Sequence, residues 1–471
     1  MNKQIILTPG QKAIEVNLDN SIYGSFVEIG AGQEVARQFF RVGSASGTIA
    51  KTMSAYDRNF SDAIYGKEDD GRYVCKSRLN RMLKKEYALL EERLNRQDHK
   101  KTRYFAFADT VTTINYDKTI NGHGWMGLKF QKDSKNEPNE FLIHVRLKDQ
   151  EARIQQETIG IIGTNLMHAC FTESDPKIIL KRLYDNLSRD NFEIDMVEVL
   201  GPDFKNIDNR LLSLTLVKEK MTNAVIFTPE GKNKYPSDIL HKKNILILRG
   251  SFRPVTKVNI DMLTEGLDTF KKNKKVDKKN IQLLLEITLS NLMTNGEVDE
   301  RDFLDRADIL CSLGYTVMIS NYKKYYKLSE YLSRYTTARM GLIIGVDNLV
   351  EMFDEKYYRN LNGGIMEAFG IIVNRDIKIY LYPYQPDNKK ELLNSKNVPI
   401  HPRGKSIYQY LYSNKRIEDL NYNSNILDIF SRDVLKKIKA CEIGTWEHMV
   451  PDGVAEIIKD KSLFGMSCKI N

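Results

Sequence analysis

The 471-residue chain is 41% hydrophobic and 28% charged, with a formal net charge of +9, a composition that excludes a disordered or fibrous chain and leaves room for two or three domains. No run approaches the roughly 20 apolar residues of a membrane span, and the start, MNKQIILTPGQK, lacks the apolar core of a signal peptide, so a cytoplasmic protein without a membrane partner is expected. The five cysteines, Cys75, Cys170, Cys311, Cys441 and Cys468, are odd in number and lack metal-ligand spacing, which argues against a disulfide framework and a zinc site and predicts reduced thiols.

In chain order, Ser25 to Ile29 reads as a strand, and Gly30-Ala31-Gly32 follows it into a helix over Gln33 to Arg41. That GxG lacks the third glycine of a dinucleotide turn, so an ordinary tight turn is favoured. Gly43 to Thr52 places Ala50 where a phosphate loop needs glycine before its lysine. Lys76 to Arg96 has Leu79, Met82, Leu89, Leu90 and Leu94 at helical spacing and predicts an amphipathic surface helix. Tyr104 to Ala108 and Phe141 to Val145 predict strands, as does the apolar/polar alternation of Leu212 to Val217. Asn121-Gly122-His123-Gly124-Trp125 reads as a turn with a core-anchoring tryptophan, and His144 and His168 sit in apolar segments as core histidines. Residues 1–230 are therefore expected to form a mixed α/β or α+β domain of unassigned role. The polar stretch Gly231 to Asp238 is the candidate linker.

The second half, 244–471, opens with the short apolar strand Ile245 to Leu248, a Gly250-Ser251 turn and a helix, the order in which nucleotide phosphate sites are built. A helical insertion from about Ile281 to Leu313 is expected next. Strand Thr316 to Ser320, a helix to about Arg339, strand Gly341 to Gly345 and a helix through Phe353 follow. Strands are then expected at Gly370 to Val373 and at Ile377 to Leu381. Tyr322, Tyr325, Tyr326, Tyr331 and Tyr335 give the intervening helical region its aromatic packing surface. Strands alternating with helices predict a parallel, doubly wound sheet, with ligands at the carboxyl ends of the strands near Gly250 and Gly345. The basic stretches Lys76 to Arg103 and Lys271 to Lys279 do not interleave aromatics with base-reading residues, so nucleic acid is not an expected partner.

Gly250-Ser251-Phe252-Arg253-Pro254-Val255-Thr256 resembles the GSFxPxT signature of nicotinamide/nicotinate mononucleotide adenylyltransferases, members of the nucleotidylyltransferase superfamily. Leu342 to Phe353 is similar to the family's LLxGADLLESF segment, and Phe369 to Arg375 to the strand after it. Ile429 to Ile438 stands where the family has ISSTxIR, and Met449 to Ile458 resembles its closing VPxxVxxYI helix. The resemblance covers about Asn244 to Asn471 and implies a Rossmann-like domain. It implies adenylyl transfer from ATP, with Mg²⁺, to a pyridine mononucleotide. By the same resemblance Gly250, Ser251 and Phe252 would touch the nucleotides, Thr256 and Asn259 would face the ATP phosphates, Gly345 and Asp347 would position the mononucleotide or its ribose, and Ser431, Arg432 and Lys436 would hold the triphosphate.

Two departures bear on activity. Asn259 stands where the superfamily's HxGH or TxxH signature has a phosphate-binding histidine, and an amide cannot offer a cationic hydrogen bond. Ser431-Arg432 replaces the Ser-Thr pair and Leu435 the arginine of the C-terminal motif. Lys436 or Arg432 replaces that arginine only if its side chain turns inward. Two expectations stay open at this point: a nucleotide-binding adenylyltransferase, or a degenerate fold kept as a self-assembling scaffold. A homo-oligomer is expected in either case.

Overall fold

The computed structural model describes residues 6–69, 71–294, 296–386 and 391–467, and the chain divides into two compact units, Met1–Thr222 and Asn223–Asn471. Both units are α/β.

The first unit contains strands β1 (Ile22–Ile29), β2 (Ile49–Met53), β3 (Arg103–Thr112), β4 (His123–Phe130), β5 (Asn139–Leu147) and β6 (Phe192–Leu200), in the sheet order β2-β1-β3-β4-β5-β6. β2, β1 and β3 are parallel, whereas β3 to β6 form an antiparallel meander. Helices α1 (Pro9–Leu18), α2 (Glu34–Val42), α3 (Arg58–Tyr65), α4 (Lys76–Arg93), α5 (Ala152–Thr172), α6 (Pro176–Arg182) and α7 (Asn209–Lys218) complete it. α5 is almost wholly buried, and its glycines let α2 approach. A Cβ added at Gly163 would lie 2.3 Å from Val35 Cγ2 and 3.0 Å from the Phe107 ring. The amphipathic helix expected from Lys76 onward is α4, with Leu79, Met82, Leu83 and Leu90 turned inward.

α7 corrects the strand expected at Leu212 to Val217. Asp208 caps its N-terminus by accepting the Arg210 N–H at 2.8 Å, and all six residues from Leu212 to Val217 are buried. A helix buried all round can carry a period-2 apolar pattern without being a strand.

The second unit is built on an eight-stranded sheet. Its strands are β7 (Ala224–Phe227), β8 (Asn233–Lys234), β9 (Asn244–Arg249), β10 (Ile281–Thr288), β13 (Thr316–Ser320), β14 (Met340–Gly345), β15 (Ile377–Tyr382) and β16 (Ile417–Asp419). A two-stranded ribbon, β11 (Met293–Thr294) and β12 (Glu297–Val298), stands apart. The sheet order is β16-β15-β14-β9-β10-β13-β7-β8. From β13 to β16 every pairing is parallel, and the chain winds outward from β9 through β10 to β13 before crossing to β14, β15 and β16. This is the doubly wound arrangement, and its switch point lies between β9 and β14. Helices α8 (Pro236–Leu240), α9 (Lys257–Lys272), α10 (Glu300–Ser312), α11 (Tyr325–Leu332), α12 (Val346–Met352), α13 (Gly364–Asn374), α14 (Lys405–Ser413), α15 (Ser431–Lys439) and α16 (Val454–Asp460) accompany the strands.

Three expectations are corrected in this unit. The helical insertion at Ile281 begins instead with β10, buried from Leu284 onward between β9 and β13; a 3-10 turn follows at Leu289–Leu292, and α-helix begins only at Glu300. Gly370 to Val373 lies within α13, whose Ile365, Ala368, Phe369 and Ile372 face the core at helical spacing. Gly231 to Asp238 is not a free linker. Asn233 and Lys234 pair with β7, which in turn pairs with β13. The aromatic region after Ser320 is core, with Tyr322, Tyr326, Tyr331 and Tyr335 all buried. Cys75, Cys170 and Cys311 are in no disulfide, whereas Cys441 is disulfide-bonded, against the expectation of five reduced thiols.

Candidate functional site

The switch point predicts a cleft at the carboxyl ends of β9 and β14, because the loops that leave those strands diverge to opposite faces of the sheet. A cleft of about 240 Å³ lies there. Its walls are the first turn of α9 (Thr256, Val258, Asn259, Met262), the β14–α12 junction (Gly345, Val346, Asp347, Asn348), the segment after β15 (Tyr382, Pro383, Tyr384) and the approach to α15 (Leu427, Ile429, Phe430, Ser431). Four segments far apart in sequence converge here.

Five of the residues expected at the site line this cleft: Thr256, Asn259, Gly345, Asp347 and Ser431. Their partners qualify their roles. Asn259 Oδ1 accepts the Thr256 backbone N–H at 3.0 Å and its hydroxyl at 3.1 Å, a capping arrangement that closes the start of α9. Ser431 Oγ donates to the Pro254 carbonyl at 2.8 Å and accepts the Arg253 N–H at 3.2 Å, fastening α15 to the β9–α9 loop. A Cβ at Gly345 would meet nothing within 4 Å, which leaves the cleft floor open. Asp347 is exposed and sits in the first turn of α12.

The other five lie elsewhere. The Gly250 N–H donates to the Glu286 carbonyl at 3.1 Å, and a Cβ at Gly250 would press on the Phe252 ring at 2.9 Å. Phe252 is buried, and the Ser251 carbonyl accepts Arg306 Nη1 at 2.8 Å. The turn is thus packed against the protein's own groups. Arg432 lies over the Phe430 ring at 4.9 Å, with Nε 4.0 Å from Asp433. Lys436 reaches the same carboxylate at 3.5 Å, and both side chains are more than 70% exposed.

The cations nearest the signature segment are neutralised. Arg249 forms a two-pronged pair with the fully buried Glu286, at 2.9 Å from each nitrogen, and Ser320 Oγ adds a third bond to that carboxylate at 2.5 Å. Arg249 also stacks on Tyr325 at 4.4 Å. Arg253 lies 2.6 Å from Asp302, which pairs with Arg306 as well. Lys257, beside Thr256, is not among the cleft-lining residues. A magnesium–ATP chelate would therefore meet a single carboxylate and no cation among the described lining residues. No group of three or more His, Cys, Asp or Glu suited to a metal ion occurs among the described residues.

The sequence did not point to Tyr382 or Tyr384, and it held Phe430 only within the Ile429 to Ile438 segment, with no role of its own. The Tyr382 hydroxyl donates to Asp261 Oδ2 at 2.5 Å, and burial together with that carboxylate pushes its pKa well above the ordinary tyrosine range. Tyr384 and Phe430 meet edge to face with centroids 6.1 Å apart. The available signal was the run Tyr382-Pro383-Tyr384-Gln385-Pro386, aromatic and proline residues directly beyond an apolar strand.

In the first unit the glycine turn leads to a helix start that is already filled. Glu28, 1% exposed, accepts the α2 N–H groups of Val35 at 2.9 Å and Ala36 at 2.8 Å. Gly30 has φ +102°, and a Cβ there would overlap the Val111 carbonyl at 1.9 Å, so close packing explains this glycine. Glu28 stands opposite Asp109 across the β1–β3 ladder, and Asp109 is 1% exposed. Burial, the larger cause, pushes the Glu28 carboxyl up to about 7, with Glu34 adding to the rise, and it pushes the Asp109 carboxyl up as well, with the Glu28 charge adding to that rise. Lys51, the lysine of the Gly43 to Thr52 tract, lies 2.5 Å from Glu86. His144 bridges Asp195 at 2.5 Å and His123 at 3.1 Å, with the Trp125 ring edge-on at 5.1 Å. His168 contacts Glu15 at 2.8 Å. Burial, with His144 next to it, pushes His123 down to about 4.

The second unit thus belongs to the doubly wound α/β class, with a cleft at its switch point. No protein-family model matches the chain, and no curated protein matches it. Among solved structures it is similar to a competence/damage inducible protein CihA from Agrobacterium tumefaciens, at 14% identity over 36% of this chain and 98% of that one, TM-score 0.25. It is also similar to a competence-damaged protein (CinA) superfamily protein from Enterobacter cloacae, at 9% identity over 36% and 97% of the two chains, TM-score 0.25. Likenesses this distant carry nothing about activity. No described helix is long and apolar enough to cross a membrane.

Proposed function

We propose that the unit Asn223–Asn471 is a nucleotide-binding domain of the nucleotidylyltransferase type. It holds an adenine or pyridine mononucleotide at the switch-point cleft without transferring adenylyl groups at an enzymatic rate. Binding is supported by the convergence of Thr256, Asn259, Gly345, Asp347 and Ser431 on one cleft at the ends of β9 and β14. One observation carries the loss of transfer. At the position of the superfamily histidine Asn259 can present only a neutral amide donor, its oxygen being held on the cap of α9, and Arg432 and Lys436 turn to solvent beside Asp433. Loss of a single preorganised donor costs about 10²–10³ in rate at sites of this kind, and here a histidine and an arginine are missing together.

The test is incubation of the full-length protein with ATP, Mg²⁺ and nicotinamide or nicotinate mononucleotide, following pyrophosphate and dinucleotide. Mononucleotide binding without turnover is the expected outcome. Dinucleotide formed in proportion to protein would establish an adenylyltransferase and overturn the proposal.

A second reading, self-assembly through the first unit, has in its favour the exposed aromatics Phe40 (52%), Tyr56 (74%) and Phe60 (62%). Light scattering that returns the mass of a single chain at all concentrations would remove it.

A further inference from the structure

The cleft has a chemical bias that the nucleotide-binding proposal does not by itself contain. Among the described lining residues Asp347 is the one charged side chain, and its charge is negative. The remaining walls are apolar or aromatic (Val258, Met262, Leu427, Ile429, Tyr384, Phe430) or neutral polar. A triphosphate brings about four negative charges, and sites that hold one supply lysine, arginine or a well-ligated metal. Here Arg249 is committed to Glu286, Arg253 and Arg306 to Asp302, and Arg432 and Lys436 lie beside Asp433.

The helix starts at the cleft do not replace those cations. The α9 cap is closed by Asn259, while α12 and α15 each carry a carboxylate in the first turn, Asp347 and Asp433. A carboxylate at a helix N-terminus satisfies the positive end that a phosphate would otherwise seek.

We infer that the cleft recognises the nucleoside portion of its ligand, base and ribose, and disfavours each added phosphate. This deepens the nucleotide-binding proposal and rests on it. Asp347 is a two-oxygen acceptor suited to the vicinal hydroxyls of a ribose. The Tyr384–Phe430 wall is suited to the flat face of a base. Adenosine and the nicotinamide riboside share this chemistry, and the comparison of the two identifies the base.

Calorimetric titration of the full-length protein with adenosine, nicotinamide riboside, AMP and magnesium–ATP, at low and at moderate salt, tests the inference. One of the two nucleosides should bind at least about tenfold more tightly than magnesium–ATP, with AMP weaker than adenosine and the nucleoside affinity little changed by salt. Asp347→Asn should weaken nucleoside binding about five- to tenfold while leaving the 2′,3′-dideoxynucleoside unaffected. Asp347 is exposed, so this substitution leaves the core untouched. ATP binding as tight as or tighter than both nucleosides, weakening with salt, would overturn the inference and leave the nucleotide-binding proposal standing. Failure of all four ligands to bind would overturn both.

Discussion

Asn259 shows how one position changes meaning between sequence and structure. Read along the chain it stands where the resemblance leads one to expect a histidine; in the fold it is the partner that Thr256 needs to start α9. Asn259→Ala should therefore cost the second unit about 1 kcal/mol in urea denaturation. Placing a histidine there would trade cap for cation rather than simply add one. Glu28 and Asp109 make the parallel case in the first unit. Each lies in a largely apolar strand, Glu28 in β1 and Asp109 in β3, and neither was singled out from the sequence. Their pairing across β1 and β3 was not visible, because register is a property of the sheet. Both carboxyls are raised, so the folded chain keeps protons that the unfolded chain releases. The Glu28 contribution to stability is complete below about pH 4 and is lost as pH rises through about 7, and the Asp109 contribution has the same sign. Thermal unfolding of the first unit should accordingly move to lower temperature between pH 5 and pH 8. Asp109→Asn should flatten that slope and stabilise the protein at pH 8, because it removes a buried carboxyl that ionises at a cost. An unchanged slope would mean that the pair does not share the burden of burial.

At the scale of elements, long periodic segments and strand-turn-helix junctions were legible, and short apolar runs were not. β9, β13 and β14 fell where the sequence places them because each is a brief apolar run bounded by glycine or polar residues. β10 was read as helix because Leu283, Leu284, Leu285 and Ile287 satisfy either period. Its neighbours decide the matter by offering ladder partners on both sides. In α13 the β-branched residues Ile371, Ile372 and Val373 suggest a strand, yet Ile365, Ala368, Phe369 and Ile372 form a helical core face, and that burial outweighs propensity. Helix packing in turn gives sharp expectations. Gly163→Ala should destabilise the first unit by about 1–3 kcal/mol through overpacking against Val35 and Phe107. The same substitution at Gly370, with nothing within 4 Å of an added Cβ, should be neutral or slightly stabilising. Chemical denaturation of the two variants, compared with the parent, separates the two cases.

For the whole molecule, the doubly wound sheet was legible from the alternation of strands and helices, whereas its true beginning was not. The family-like signature starts at Asn244, but β7 and β8 precede it and close the edge that β13 would otherwise present. A fragment from Asn223 to the C-terminus should give one cooperative unfolding transition. A fragment from Asn244, with the backbone of β13 bared, should aggregate or bind a strand-seeking dye. Equal solubility of the two would mean that β7 is dispensable. The cleft was legible in part, since Thr256, Gly345 and Ser431 belong to recognisable segments, while its aromatic wall comes from stretches whose proximity only the fold creates. The first unit has a different history written into it. Its glycine turn leads to a helix whose opening amides are occupied by Glu28, a carboxylate from the same chain. Any lineage that began to recruit phosphate at that turn would have to discard Glu28 first, and would pass through a form in which the buried Val35 and Ala36 amides of α2 lack their acceptor. The contact that starts α2 therefore also keeps a phosphate out of the turn.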